Sequence, residues 1–346
     1  MRDAMLHAVW QGDGYVALLA RAALTPFEWI YGAASLVVGA RRAAVAGRAP
    51  VPTVSVGNLT VGGTGKTPVA AWFAAQLRAR GRAPAVLLRG YGDDEPLVHA
   101  RLNPGVPVLA DPDRRRSAAR AVARGATALV LDDAFQHRQM PRDADVVLVS
   151  ADQWHEPVRL LPAGPFREPL RALERADLVV VTRKAVSPER AAMVAERLRL
   201  VARGTPVAVA HLMPAGLVGW IDGVPASLEA LAGQRLLAVS GVGAPEAFLA
   251  QLRAAGALVD AATFPDHHAY TAQDVQSLAA RAEAAGRVVC TLKDAVKLGP
   301  LWPAGAPPLA YLSQSVVFET GEASVTALLD RLASPKATTT PVPAGP

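Results

Sequence analysis

The chain has 346 residues, of which 51% are hydrophobic, 19% charged and 5% aromatic; that is enough for about two domains of roughly 150 residues and too apolar for wholesale disorder, collagen or a coiled coil. Its single cysteine, Cys290, excludes an intrachain disulfide framework and a cysteine-cluster metal site, and fits a reducing compartment. The net charge of +6 is carried mostly by arginines that scatter along the chain apart from Arg114-Arg115-Arg116 and do not alternate with aromatics, so no nucleic-acid partner is expected.

Asp3 and then Gly12-Asp13 interrupt the start before a secretory core develops, and a cytoplasmic location is expected. Residues 22–40 are the most membrane-like stretch. Pro26 and Glu28 break it, and the charge-free run from Trp29 to Ala40 has only 12 residues, against the roughly 20 needed to span. With Arg21 before it, Arg41-Arg42 after it, and Phe27, Trp29 and Tyr31 within it, the segment suits the headgroup plane. It equally suits a buried helix of a globular core.

Aliphatic runs at 53–56, 85–88, 128–131, 146–149 and 178–181 read as buried strands alternating with helical patterns, which predicts a parallel α/β sheet. The pattern changes between Pro206 and Gly223, where 207–210 and 216–220 read as two short strands of a hairpin-like linker around Met213-Pro214-Ala215. A second α/β series follows, with strands at 236–239 and 287–292 and a helix near 245–254. The tail from Ser334, rich in Pro, Thr and Ala, reads as disordered. The implied division is an interface or helical segment at 1–45, a core at 46–205, the linker at 206–224, a smaller α/β domain at 225–333 and the tail at 334–346.

Between the first strand and a helix lies Val61-Gly62-Gly63-Thr64-Gly65-Lys66-Thr67. Gly62, Gly63 and Gly65 let backbone N–H groups turn inward around phosphate oxygens, Lys66 reaches the β- and γ-phosphates, and the Thr67 hydroxyl suits Mg²⁺. Pro68 fits the first turn of the following helix, whose Val69, Trp72, Phe73 and Leu77 share a core-facing stripe. Thr60 stands where the strict motif has its first glycine. A phosphate loop needs a carboxylate at the end of a neighbouring strand, and the run at 128–131 leads into Asp132-Asp133. Such paired acids also serve as helix N-caps. The strand ending in Thr182-Arg183-Lys184 suits a place near a base or ribose, or simply another strand with a solvated end.

The phosphate loop in the form Ser55-Val56-Gly57-Asn58-Leu59-Thr60-Val61-Gly62-Gly63-Thr64-Gly65-Lys66-Thr67-Pro68 resembles that of the tetraacyldisaccharide 4′-kinases of Gram-negative lipid A biosynthesis. So, in order, do Arg89-Gly90-Tyr91-Gly92, Asp94-Glu95-Pro96, Asp132-Asp133-Ala134-Phe135-Gln136-His137, the block from Leu161 to Pro169, Phe264-Pro265-Asp266-His267-His268 and Lys293-Asp294-Ala295-Val296. The resemblance implies a phosphate-loop NTPase-type parallel sheet core joined by a two-stranded linker to a smaller α/β domain, with the site in the cleft between them. It implies ATP and Mg²⁺, an acylated glucosamine disaccharide 1-phosphate phosphorylated at its 4′-hydroxyl to lipid IVA, and peripheral attachment to the cytoplasmic face of the inner membrane, with no obligate protein partner evident. Three departures stand out: the stretch between Gly92 and Asp94 is shortened, with Asp93 in place of glycine, and Ala134 and Leu292 replace a glycine and an acid.

By the same resemblance Asp94 is the base and His267 its imidazole partner, with Asp93 and His268 as competitors. Alone, His267-His268 reads as a surface pair or half of a metal site. Thr67, Asp132, Asp133 and Glu168 are implied near the metal, and Asn58, Tyr91, Arg116, Gln136, His137 and Arg167 near substrate or phosphates, though several equally suit hydrogen bonds within the fold. Pro165 and Pro169 stiffen the loop that carries Arg167-Glu168. The competing function is a nucleotide-driven switch or metal chaperone without a lipid substrate. The sequence has no Cys or His cluster for metal delivery and no guanine-reading Asn-Lys-x-Asp block.

Overall fold

The computed structural model describes residues 9–10, 12, 14–44, 49–90, 92, 94–243 and 245–334. The expectations for Tyr91, for Asp93 and for the tail beyond Ser334 lie outside them.

Helix α1 (Tyr15–Ala44) is continuous and carries Pro26 within it. Glu28 is buried rather than solvated, because its carboxylate accepts bonds from Arg159 Nε at 2.8 Å and the Leu160 backbone N–H at 2.7 Å. The opposite side of α1 leaves Phe27, Trp29, Ile30, Val37 and other large apolar residues exposed.

Among the described residues the chain then builds one twelve-stranded sheet. In the larger lobe β1 (Thr53–Asn58), β2 (Pro84–Leu88), β3 (Val108–Ala110), β4 (Ala128–Asp132), β5 (Ala144–Ser150) and β6 (Leu178–Arg183) are all parallel, in the order β3-β2-β4-β1-β5-β6. Helices α2 (Lys66–Ala79), α3 (Asp94–Leu102), α4 (Arg114–Ala123) and α5 (Pro188–Val201) provide the connections. Strands β1, β2, β4 and β6 are buried at every residue, as aliphatic strands covered on both faces should be. On α2, Val69, Phe73 and Leu77 enter the core, whereas Trp72 sits at its edge against Phe318.

The expected hairpin at 206–224 is corrected. Residues Val207–Gly219 form a single strand, β7, parallel to β6 at its start and antiparallel to β12 (Leu309–Thr320) along most of its length. Met213-Pro214-Ala215 is no turn: Pro214 faces Gln314 beside a register shift, where the missing N–H is tolerated. The second strand of the linker is therefore β12. A short strand, β8 (Pro225–Ala226), folds back on β7. The smaller lobe comprises β9 (Arg235–Ser240), β10 (Leu258–Thr263) and β11 (Val288–Thr291), with α6 (Pro245–Ala254), α7 (Ala272–Ala285) and α8 (Leu292–Leu298). Its strands run parallel in the order β10-β9-β11-β12. The final helix α9 (Glu322–Ala333) returns to the larger lobe, where Val325, Leu328, Leu329 and Leu332 join the same buried cluster as Val54 and Phe73. Residues 322–333 thus pack outside the small domain to which the sequence reading gave them.

Candidate active site

The phosphate loop leaves the buried end of β1 and enters α2 at Lys66. Gly62 and Gly65 adopt positive φ values of 109° and 86°, and a side chain at Gly65 would collide with Leu212 on β7. Only glycine meets both demands. Thr60 takes the motif's first glycine position without strain because it forms a β-bridge with Phe166, an extended arrangement that suits a β-branched residue. Behind the loop, Asn58 Nδ2 donates to Thr64 Oγ1 at 3.0 Å and the Thr182 hydroxyl donates to the Thr64 carbonyl at 2.9 Å. Lys184 Nζ donates to the Gly63 carbonyl at 3.3 Å. The loop is thus braced, and the α2 N-terminus presents its free N–H groups to an anion.

Strand β4 lies beside β1 with Asp132 in register with Val56, which sets Asp132 next to the loop. His99 on α3 is fully buried, and its Nε2 lies 2.9 Å from Asp132 Oδ2. The other carboxylate oxygen, Oδ1, is buried without a hydrogen-bond partner. Burial pushes the Asp132 carboxyl up, but the His99 bond together with the charges of Lys66 and Lys293 outweighs it and holds the group below its ordinary value. Asp133, at a φ of 47°, lies 3.9 Å from Lys66 Nζ and 3.4 Å from Arg167 Nη1. Arg114 fixes this corner by donating to both carbonyls, at 2.6 Å to Asp132 and 3.1 Å to Asp133. Burial lowers the Lys66 pKa, with Asp133 and Asp132 opposing.

Among the described residues no three His, Cys, Asp or Glu side chains cluster as a metal cage. An orphaned carboxylate oxygen on Asp132, with Asp133 and the Thr67 hydroxyl beside the phosphate loop, instead fits Mg²⁺, which keeps several waters and takes substrate phosphates as ligands.

Across the cleft, Asp94 opens α3 and His267 stands on the loop after β10. His267 Nδ1 lies 3.4 Å from Asp94 Oδ2, and His267 holds a left-handed φ of 58°. Burial raises Asp94, yet His267, Lys293 and Lys297 overcome it and hold the carboxyl at about 2. Its contact with Asp94 raises His267, against burial. His268 is engaged elsewhere, with Nε2 3.1 Å from Asp274 and its ring stacked on Phe264. Of the two histidines, the structure brings only His267 to Asp94.

A cleft of about 560 Å³ lies between the lobes, lined by Gly62 to Pro68, Asp132 and Asp133 on one side and by His267 and Lys293 on the other; Glu95 lines it, while the buried Asp94 reaches it through its contact with His267. Arg167 lines it too. Other expected residues are placed differently. Gln136 Nε2 donates to the Asn58 carbonyl at 2.8 Å, so both support the loop from behind. Arg116 is paired with Asp111 at 2.7 Å and does not line the cleft. Glu168 is paired with Arg175 at 2.9 Å, also away from the cleft lining, so the structure does not bring it to the metal corner. His137 is held neutral at about 4 by burial and by the surrounding Arg114, Arg42, Arg142 and Arg89. Sequence reasoning missed His99, whose position within a helical pattern gave no signal, and Lys293, which was visible only as part of a block.

A parallel sheet with a braced phosphate loop, an acidic strand end beside it and an ionised carboxylate–imidazole pair opposite defines a phosphate-loop phosphotransferase. The model of the family Tetraacyldisaccharide-1-P 4′-kinase matches residues 20–333, and the chain belongs to that family. The tetraacyldisaccharide 4′-kinase of Anaeromyxobacter dehalogenans is 43% identical over 87% of this chain and 88% of its own length. That of Halorhodospira halophila is 38% identical over 93% and 96%. Among solved structures, LpxK from Aquifex aeolicus in complex with ATP superposes with a TM-score of 0.71 at 26% identity, covering 91% of this chain and 100% of that one. The chain is thus an ATP-dependent kinase of this family.

Proposed function

We propose that the protein transfers the γ-phosphoryl group of ATP to the 4′-hydroxyl of a tetraacylated glucosamine disaccharide 1-phosphate, giving lipid IVA. The observation that carries this reading is that the cleft holding the phosphate loop also holds His267, whose Nδ1 lies 3.4 Å from the buried carboxylate of Asp94. Lys66 and the N–H groups at the start of α2 hold and neutralise phosphate oxygens. Asp94, ionised throughout the physiological range, accepts a hydrogen bond from the sugar hydroxyl and aims its oxygen at the γ-phosphorus. The new O–P bond forms as the bond to the departing ADP breaks, and the hydroxyl proton passes to the Asp94–His267 pair. A carboxyl this acidic is a weak base, which suits a loose transition state in which alignment matters more than early proton removal. Thr67, Asp132 and Asp133 are the residues that would hold Mg²⁺, which would supply positive charge to the nucleotide phosphates.

The exposed apolar residues of α1, with Arg41 and Arg42 in its last turn, support peripheral attachment to an anionic membrane surface, on the cytoplasmic face where ATP is available. No helix among the described residues is long and apolar enough to cross a membrane.

The deciding experiment incubates purified protein with γ-labelled ATP, Mg²⁺ and tetraacyldisaccharide 1-phosphate in detergent micelles and separates the lipids. Label in the lipid fraction is the expected result. ATP turnover that leaves the lipid unlabelled would instead establish the switch or chaperone reading.

A further inference from the structure

Lys293 is the first-turn residue of α8, on the small lobe. Its neighbours are heavily committed. Asp294 is completely buried and accepts bonds from the Tyr270 hydroxyl at 2.8 Å, the Thr291 hydroxyl at 2.6 Å and the Gly241 N–H at 3.1 Å, which pins the start of the helix. Lys297 donates to the His268 carbonyl at 3.0 Å and approaches Asp94 at 4.0 Å. Lys293, by contrast, makes no hydrogen bond or salt bridge among the described residues, although it lines the cleft between the lobes. Its charge bears on Asp94 and His267 on one side and on Lys66 and Asp132 on the other. A primary ammonium without a protein anion, standing between a base pair and a phosphate loop, is placed for an anion that arrives with the substrates.

We propose that Lys293 is a catalytic residue that contacts the transferring phosphoryl group and neutralises the charge building on its oxygens, a cation supplied by the small lobe in the same chain. This deepens the kinase reading and rests on it. As the bond between the γ-phosphorus and the leaving oxygen stretches, negative charge spreads over the equatorial and leaving oxygens. Lys66 reaches them from the loop side and Lys293 from the opposite wall. Because one wall belongs to each lobe, full charge compensation requires the lobes in the arrangement seen here. Among the described residues Lys293 has no anionic partner to lose, so the charge is available without breaking an ion pair there.

The test compares wild type with Lys293→Met, which keeps most of the apolar stem, and Lys293→Arg, which keeps the charge. Phosphoryl transfer to the lipid, MgADP affinity and the gain in nucleotide affinity on adding aluminium fluoride, a mimic of the transferring group, are all measured. Lys293→Met should lower kcat about 100-fold, the scale of losing one preorganised charge, leave MgADP affinity within about threefold and abolish the fluoride-dependent gain. Lys293→Arg should recover part of both. Turnover within about threefold of wild type, or a full fluoride-dependent gain in Lys293→Met, overturns the proposal. A loss confined to MgADP affinity and KM overturns it as well, since that describes uniform nucleotide binding. Failure of wild type itself to label the lipid counts against the acceptor assignment, while the fluoride measurement still decides the role of Lys293.

Discussion

The two walls of the cleft are built in different ways. The phosphate loop is continuous in sequence, and its shape follows from glycines at positive φ, a helix start and three braces behind it. The opposing pair joins residues 94 and 267, which meet only because α3 of the large lobe packs against α8 and the loop after β10. The loop's own conformation is written in one short stretch of sequence, although Thr182, Lys184 and Phe166 from distant parts of the large lobe hold it in place. The pair depends on how the two lobes sit together.

Lys66→Ala breaks the loop wall and carries the largest expected effect, a loss of about 10²- to 10³-fold in kcat with a nearly unchanged unfolding curve, since among the described residues its one ion pair is the long 3.9 Å contact to Asp133. Single-turnover kinetics and thermal unfolding check this together.

Asp94→Asn and His267→Ala break the wall assembled between lobes. Each should cost about 10²-fold in turnover while ATP affinity holds, and the double variant should be little worse than the poorer single. His268→Ala should loosen the Phe264–Asp274 corner and spare turnover. The pH profile sharpens the point. Asp94 sits at about 2, so the acid limb of kcat/KM should move upward in His267→Ala, toward the ordinary aspartate value of about 3.9. In wild type the raised His267 contributes stability that is present below its unfolded value and lost as pH rises through its folded one. The difference in thermal stability between wild type and Asp94→Asn should therefore shrink between neutral and alkaline pH.

His99→Ala removes the anchor of Asp132 without touching a phosphate. Metal affinity in the nucleotide complex should fall about 10-fold, the lower end for lost partners of a metal ligand, read by Mn²⁺ electron paramagnetic resonance and by the Mg²⁺ dependence of turnover. His99→Gln should restore part of it.

The smallest effect on chemistry is expected from Ile30→Glu on the exposed side of α1. Partition to anionic vesicles should weaken several-fold, in proportion to the apolar surface lost, while turnover of substrate dispersed in detergent stays level. Unchanged vesicle binding would remove α1 from the membrane contact.

How much of this was legible follows the same division. Strands β1, β2, β4, β5 and β6 announce themselves as short aliphatic runs because a parallel sheet covered on both faces demands them. Strand β12 escaped because its middle, Ser313-Gln314-Ser315, is only partly buried at the neck between lobes and lacks the aliphatic signature. Pro214 and Gly216 made β7 look like two strands, since nothing in the sequence shows the register shift that accommodates the proline. The phosphate loop and Asp132-Asp133 were readable from spacing, whereas Asp94 and His267 needed the family resemblance. His99 meets Asp132 through tertiary packing alone, which no local pattern encodes.

The return of the chain through β12 has a consequence for synthesis. The small lobe is an excursion that leaves at Gly219 and comes back opposite it at Ala310, two points separated by about one strand spacing of 4.8 Å. Everything from β9 to α8 can therefore emerge from the ribosome and fold while the large lobe still lacks the end of β12 and all of α9. Because Val325, Leu328, Leu329 and Leu332 belong to the core beneath the phosphate loop, the lobe that starts first is completed last, and a chain that stops short of residue 320 carries the whole nucleotide motif on an unfinished core.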